Sequence, residues 1–536
     1  MISHAHTPLT SSYRFVFVVS KKIHKYTGLV FLLYFLMMGI TGVLINHPSL
    51  LRGITVPAVL LPDVYRYADW NRFSFREAVF STTANNPSTL YLAGKAGVFK
   101  SLNGGQSFKR MSDGLPVSAY NMDTRALLLV EENADEGDML FAGTRSGLYV
   151  CDPAKGNWRT VENKDLQQEE IIDLVQAGKR IYAFTAHGGY LAYTGQSVSS
   201  FQKITLLSAD SGPDRVAMFR FLLKIHDGSV LGLPGKLFMD IVGLILLFLS
   251  VSSLYIWFIP WSRKKYKTRR KPRYFRFFHK YHLQLGIYSA LFLAIIALTG
   301  MFVRPPLMIS IINLHVPAWL YPKSGDDNWH FKIHKAVYLE DEDALLLATN
   351  KGFFKAPADL SKPFEPQEIK VPVHGMGTVV LEPLHGNRLL VGSFSGLYIW
   401  DRQKQQGRDI QGHPLPAGPG VGRILYGGMA SGAAVYDGQP LFWADYGNGI
   451  QILNSKVIPH LPMPHEIKNT GISLWHFLFE CHNGRIFGPI LGKYTWLVVP
   501  LGGLVLLLSV LTGSYDWFFR KVLVRKRNRA DWKERG

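Results

Sequence analysis

The sequence predicts an α-helical membrane bundle, internally duplicated, with an all-β, propeller-like part outside the membrane. Three observations predict it. Four apolar segments, 27–46, 236–259, 282–303 and 494–515, each come close to the roughly 20 residues that cross a bilayer as a helix. The formal net charge of +20 sits almost wholly in three short segments: residues 1–25, 260–281 and 516–536 hold 4, 10 and 8 Lys and Arg against 3 acids. The chain also repeats itself, helix for helix.

The basic segments fix an orientation. Lys and Arg gather in the cytoplasmic loops of multi-span proteins. Residues 1–26 therefore read as a cytoplasmic tail, 260–281 as a cytoplasmic loop resting on anionic lipid, and 516–536 as a second cytoplasmic tail. Charge confined to tails and one loop is not the footprint of a nucleic-acid partner. The inserts 47–235 and 304–493 then lie on the outer side. Segment 27–46 reads as a span and not as a leader, because it runs into "GVLINHPSLL" without a small-x-small cleavage pattern. The cysteines are Cys151 and Cys481. They form no CxxCH for covalent haem, no CxxC pair for zinc or a cluster, and no disulfide framework.

"HKYTGLVFLLYFLMMGITG" in the first span is answered by "HLQLGIYSALFLAIIALTG" in the third. His24, Gly28 and Gly42 correspond to His282, Gly286 and Gly300, and "VPAVLLP" to "VPAWLYP". At the far ends of the inserts "IHDGSVLG" is answered by "CHNGRIFG", pairing His226 with His482. This is a duplication of helix, insert and helix. Both halves enter with the same orientation, so they are expected to pack about a pseudo-two-fold axis along the membrane normal.

Within the inserts a shorter period appears. "TLYLAGKAGVFKS", "MLFAGTRSGLYVCD" and "RIYAFTAHGGYLAY" lie in the first; "ALLLATNKGFFKA", "RLLVGSFSGLYIWD" and "PLFWADYGNGIQIL" lie in the second. Each is a strand, a Gly-bearing turn and a strand. Their spacing is the blade length of a β-propeller. Three blades per insert, each set followed by a helix leading to the next span, predict one six-bladed propeller, since closure protects sheet edges. Ser101, Asn103, Gly105, Ser107 and Phe108 resemble the Asp-box turn of sialidase- and sortilin-like propellers, a folding device with no catalytic role.

Four histidines carry the chemistry. Near a membrane end a lone His can snorkel to the headgroups with its neighbouring lysines. His24 recurs as His282, however, with the same Gly and Thr-Gly spacing, at the cytoplasmic ends of spans one and three. His226 and His482 recur at the outer ends of spans two and four, where His-Asp-Gly and His-Asn-Gly are also serviceable helix C-caps. Two imidazoles facing across a helical bundle are the usual axial set of a b-type haem. Gly28, Gly42, Gly286 and Gly300 would let a porphyrin approach backbone, or would serve close helix packing. His279 competes with His282, while His47, His315 and His476 compete for the outer positions. His330 and His334 fit an alternating strand better than a metal site.

The chain resembles the PepSY-associated transmembrane family. The resemblance is carried by "IHKYTGL" and "YHLQLGI" opening spans one and three, the Thr-Gly endings, and "HDGSVLGLPGKL" and "HNGRIFGPILGK" before spans two and four. Members include di-haem reductases of iron–siderophore complexes in the bacterial inner membrane. The resemblance implies two b haems, held by His24, His282, His226 and His482, and a ferric chelate as substrate on the periplasmic side. The propeller-like inserts depart from the family's short modules and leave the substrate open. No cytoplasmic segment is long enough for a flavin or nicotinamide domain, and no GxGxxG opens a helix after a strand. A separate electron donor, a membrane quinol or a cytoplasmic reductase, is therefore expected. Two other classes fit the same pattern: a haem-free, membrane-anchored propeller that assists a transporter or receptor, and a permease for a small ligand or haem.

Overall fold

The computed structural model describes residues 11–81, 88–131, 138–167, 169–193, 201–209, 215–266, 274–320, 332–415 and 428–523. Two compact units emerge, one from Met1–Leu51, Asp214–Ser324 and Trp475–Gly536, the other from Arg52–Pro213 and Gly325–Leu474.

The first unit is helical. Its main elements are α1 (Ser11–Val30), α2 (Leu32–Ile45), α3 (Met218–His226), α4 (Gly232–Tyr266), α5 (Phe275–Phe302), α6 (Leu474–His482) and α7 (Val498–Phe518). Three helical stretches, Ser229–Tyr266, Phe275–Phe302 and Arg485–Leu523, are long and apolar enough to cross a membrane. Phe35, Val242, Leu246, Leu293, Ala297 and Leu506 form their common core. Leu33, Leu244, Leu291 and Leu504 point outward on the same helices, and apolar residues all round suit lipid rather than water. Close approach is made by small residues: a β-carbon at Gly502 would lie 2.1 Å from the Tyr34 ring.

The expected span 27–46 needs correction. Helix begins at Ser11, before the apolar run, because "YRFVFVV" is itself apolar and Phe17 stacks on Phe519 at 4.2 Å. It then breaks at Phe31, and the two pieces meet at 64°. Near the break the Thr27 hydroxyl donates back to Ile23 O at 2.8 Å and lies 3.1 Å from Ser509 Oγ. Helix also outruns the apolar segment at the other end of the loop 260–281, where α4 extends to Tyr266.

Among the described residues the second unit is built from six antiparallel meander sheets, three from each insert, five of four strands and one of three. Their first strands are β1 (Glu77–Phe80), β2 (Thr124–Val130), β3 (Ile171–Ala177), β4 (Ile333–Leu339), β5 (Thr378–Leu384) and β6 (Ala430–Tyr436). Each packs beside the next in order, and β6 packs beside β1. Apolar clusters fill the gap between every successive pair of sheets, from Phe99 with Phe442 round to Leu390 with Trp443. The turn from second to third strand ends on a left-handed glycine in five of the six, Gly97, Gly147, Gly352, Gly396 and Gly449. Those are the Gly-bearing turns of the sequence repeat. In the turn after Ser101, Asn103 Oδ1 accepts the Ser107 amide at 3.0 Å and Ser101 Oγ accepts the Gly105 amide at 2.9 Å, so its polar residues are spent on folding.

Where the first strands converge, charge is buried. Lys335 Nζ on β4 lies 2.8 Å from Glu77 Oε2 on β1 and 2.9 Å from Asp173 Oδ1 on β3. Burial alone would lower the Lys335 ammonium, but Asp173 and Glu77 hold it above its ordinary value. Burial and the neighbouring Glu77 push the Glu382 carboxyl on β5 well above its ordinary value. Beside this cluster Asp123 is clasped by Arg76 and Arg145, each at 3.1 Å. Burial opposes its ionisation, yet the two guanidinium groups hold its carboxyl well below the usual range.

A carboxyl depressed in the folded state contributes stability that is present above its unfolded pKa, about 4, and is lost as pH falls through the folded value. The β unit is therefore expected to weaken as pH drops below about 4. Asp123→Asn should cost about 3–5 kcal/mol at neutral pH and flatten that acid limb. Thermal melts of the whole chain by near-ultraviolet circular dichroism, from about pH 3 to pH 7, check this. An acid limb of unchanged slope in the variant would assign it to another group.

Candidate functional site: two histidine pairs in the helical unit

All four repeated histidines meet in pairs. His24 on α1 and His282 on α5 face one another with ring centres 6.2 Å apart and planes at 77°. His226 and His482, the last residues of α3 and α6, face one another at 6.1 Å and 63°. Gly228 and Gly484 end these two helices in the left-handed conformation, so the His-Asp-Gly and His-Asn-Gly sequences cap a helix and present an imidazole together. His282 and Thr299 lie 17 residues apart on α5. That spacing separates the two pairs by about 25 Å of helix, close to the roughly 30 Å of a bilayer's hydrocarbon core.

The hydrogen bonds set the state of each ring. His226 Nδ1 lies 3.0 Å from Thr299 Oγ1, and His482 Nδ1 lies 2.9 Å from Thr41 Oγ1. Each of these hydroxyls already gives its one proton to a carbonyl a turn earlier, Thr299 to Ile295 O and Thr41 to Met37 O, both at 2.7 Å. Nδ1 must therefore be the donor. His282 Nδ1 donates to Ser252 Oγ at 2.8 Å, whose proton goes to Leu249 O. His24 Nδ1 donates to Ser509 O at 2.9 Å, with Thr512 Oγ1 at 3.3 Å. Assigned from this network, all four carry the proton on Nδ1 and leave the Nε2 lone pair bare, as a metal-ligating imidazole requires.

Each donor contact crosses between halves of the duplication. His24 rests on α7 and His282 on α4; His226 rests on α5 and His482 on α2. Glycine makes room for three of them. A β-carbon at Gly42 would lie 3.3 Å from His482 Cε1, at Gly300 3.0 Å from His226 Cε1, and at Gly513 2.9 Å from His24 Cε1. Gly28 faces open space and Gly286 meets a single carbon of Leu249 at 3.8 Å, so neither touches a histidine. Gly513, Ser252, Ser509 and Thr512 escaped the sequence reading. Their signal was the repeat of "LSVSS" (249–253) as "LSVLTG" (508–513), one residue out of step.

The residues present fit a haem. Iron between two imidazoles, at about 2.0–2.1 Å per bond and roughly 1.1 Å more to each ring centre, sets the centres about 6.3 Å apart. Both pairs have that spacing. Next to the second pair lies a cavity of about 120 Å³ lined by Tyr34, Phe35, Gly42, Gly300 and both rings.

The competing histidines are engaged elsewhere. His47 Nε2 contacts Asp240 at 2.6 Å, and His476 Nε2 contacts Glu480 at 3.4 Å. His279 stacks on Phe275, and His315 is exposed beside Asn313 O. His334 lies on β4 in the other unit, and His330 lies outside the described residues. Among the described residues no three His, Cys, Asp or Glu gather into a metal site. Cys151 and Cys481 are buried free thiols.

No curated protein matches the chain. Among solved structures it is similar to the extracellular domain of BT4673 from B. thetaiotaomicron, at 9% identity and a TM-score of 0.34, over 72% of this chain and 39% of that one. It is also similar to PorZ, a surface component of the type-IX secretion system of Porphyromonas gingivalis, at 8% identity and a TM-score of 0.33, over 70% and 38%. The chain thus spans well under half the length of either, and likenesses this weak carry no argument. The sequence profile described as the PepSY-associated TM region matches residues 161–520, more than half of the chain. This membrane protein belongs to the PepSY-associated transmembrane family.

Proposed function

We propose that the protein is a di-haem electron conduit of the bacterial inner membrane that reduces ferric chelates, iron–siderophore complexes above all, on the periplasmic side. In this reading α1 and α2 form one broken span beside α4, α5 and α7, both termini are cytoplasmic, and the six sheets are the blades of one periplasmic propeller. The ring order of β1 to β6 supports the propeller, and the three basic segments support the orientation. One observation carries the function: two imidazole pairs at iron-bridging distance, every ring with a bare Nε2, about 25 Å apart along the bundle.

His24 with His282 would hold one b haem and His226 with His482 the other. Bound there, the two haems supply one-electron carriers at either end of the apolar layer. The chain's own contribution is to orient the ligands. Thr299, Thr41, Ser252 and the Ser509 carbonyl fix each tautomer and ring angle, which strengthens the imidazole as a ligand. A separate donor, quinol or a cytoplasmic reductase, provides the electron, and the ferric chelate accepts it. Hard oxygen donors hold Fe(II) less tightly than Fe(III), so reduction releases the metal.

Difference spectra of the purified protein, reduced minus oxidised, should show b-type bands. Protein reduced with dithionite, freed of excess reductant and mixed anaerobically with ferric siderophores, should reoxidise while a ferrous-specific dye develops colour. A flat difference spectrum would reject the conduit. Haem that no ferric chelate reoxidises would reject the acceptor.

A further inference from the structure

A second site lies in the β unit, at the end of the ring where the first strands begin. Residues 69–73 run there in an unusual backbone: Asp69, Trp70, Arg72 and Phe73 all have positive φ without being glycine. Such strain persists only where the surroundings over-determine it. Trp70 is fully buried and donates Nε1–H to Leu461 O at 3.1 Å, while the Arg72 amide donates to Tyr446 O at 3.0 Å. The result carries Phe73 across the mouth, from the first sheet to turns of the fifth and sixth. Phe73 stacks on Phe394 at 5.6 Å and meets Tyr446 edge-on at 5.3 Å.

The opposite arc of the mouth is cationic. Arg76 lies over the Phe73 ring at 4.1 Å and Lys95 at 5.6 Å, and Arg125 and Arg145 follow on the second sheet. Asp123 and Glu170 are the acids paired with this arc. Counting Arg72, which lies over Tyr446 at 5.8 Å, five cations face two carboxylates. Two of the five keep unused capacity. Lys95 Nζ has no ion-pair partner among the described residues, and Arg125 Nε is buried without a hydrogen-bond acceptor. Burial, aided by Arg76 and Arg145 and opposed by Asp123, pushes the Lys95 ammonium down to about 7, so a neighbouring anion would favour its charged form. The buried Lys335 cluster, paired within itself, lies beside this mouth.

We propose that this mouth binds an aromatic anion of the catecholate class, its oxygens on Lys95 and Arg125 and its ring against Phe73 and Tyr446. Guanidinium and ammonium groups are strong partners for anionic oxygens, and the same cations over aromatic faces favour a flat ring. The assignment deepens the ferric-chelate reading by naming a ligand chemistry. It concerns binding alone and requires no haem.

The test uses the full-length protein in nanodiscs and equilibrium binding of four probes by tryptophan quenching and calorimetry. The probes are 2,3-dihydroxybenzoate, its ferric complex, ferric citrate and the cationic hydroxamate ferrioxamine B. Both dihydroxybenzoate probes should bind saturably and more weakly as salt rises, with ferric citrate weaker and ferrioxamine B weakest. Lys95→Gln, which strands no paired carboxylate, should weaken dihydroxybenzoate binding about tenfold. Phe73→Leu should weaken it several-fold and leave citrate unchanged. Absence of saturable binding, equal binding of citrate, or indifference to both variants would overturn the site. The same titration on His226→Ala protein separates the two readings: binding retained without that pair leaves this site standing even if the haem reading fails.

Discussion

His226→Ala or His482→Ala should remove one of the two proposed haems from each chain and abolish reoxidation by ferric chelate, while the other haem keeps its spectrum. The effect is all-or-none, because a single remaining imidazole must replace its partner with water or lose the group. Haem per chain, measured as the pyridine complex, and the difference spectrum read it directly. His47→Ala and His476→Ala are the matched controls, since those rings are held by Asp240 and Glu480 and should leave haem content unchanged. Full haem in both His226 and His482 variants would reject the pair. Loss of haem in the His47 variant would move the ligand there.

A large effect on stability is also expected at Lys335. Lys335→Met strips the one cation from between Glu77 and Asp173, both deeply buried. Removing one member of a buried ionic group costs about 3–5 kcal/mol, because the remaining charges stay desolvated and unpaired. That is a large share of the roughly 5–15 kcal/mol that holds a typical domain together. The triple variant Lys335→Met, Glu77→Gln, Asp173→Asn should recover most of the loss, as apolar or neutral replacements of whole buried ion groups often do. Chemical denaturation of the purified protein, followed by tryptophan emission, compares the three proteins. A single variant as stable as the parent would show that the cluster is solvated.

The family and the antiparallel β character were legible because both leave periodic traces. Glycine must recur where each hairpin turns, and apolar runs must recur where strands are buried. The histidine pairs were legible through duplication: a copied helix exposes which side chains travel with it. What escaped was written without a period. The break at Phe31 falls inside an unbroken apolar run, with no Pro or Gly beside it. The left-handed path of residues 69–73 uses Asp, Trp, Arg and Phe, of which only Asp commonly takes positive φ. The ion cluster joins Glu77, Asp173, Lys335 and Glu382 from four strands far apart in the chain, and only the ring brings them together. Ser252 and Thr512 were hidden by a one-residue slip between repeats.

The reciprocal seating of the histidines has a consequence for the order of synthesis. His24 is made long before its hydrogen-bond partners Ser509 and Thr512, which lie more than 480 residues further along the chain. His226 likewise waits for His482. Neither pair can assemble on a nascent half-chain, because each takes one histidine from each copy of the repeat. In the haem reading, cofactor loading would therefore wait until both copies of the repeat are in the bilayer.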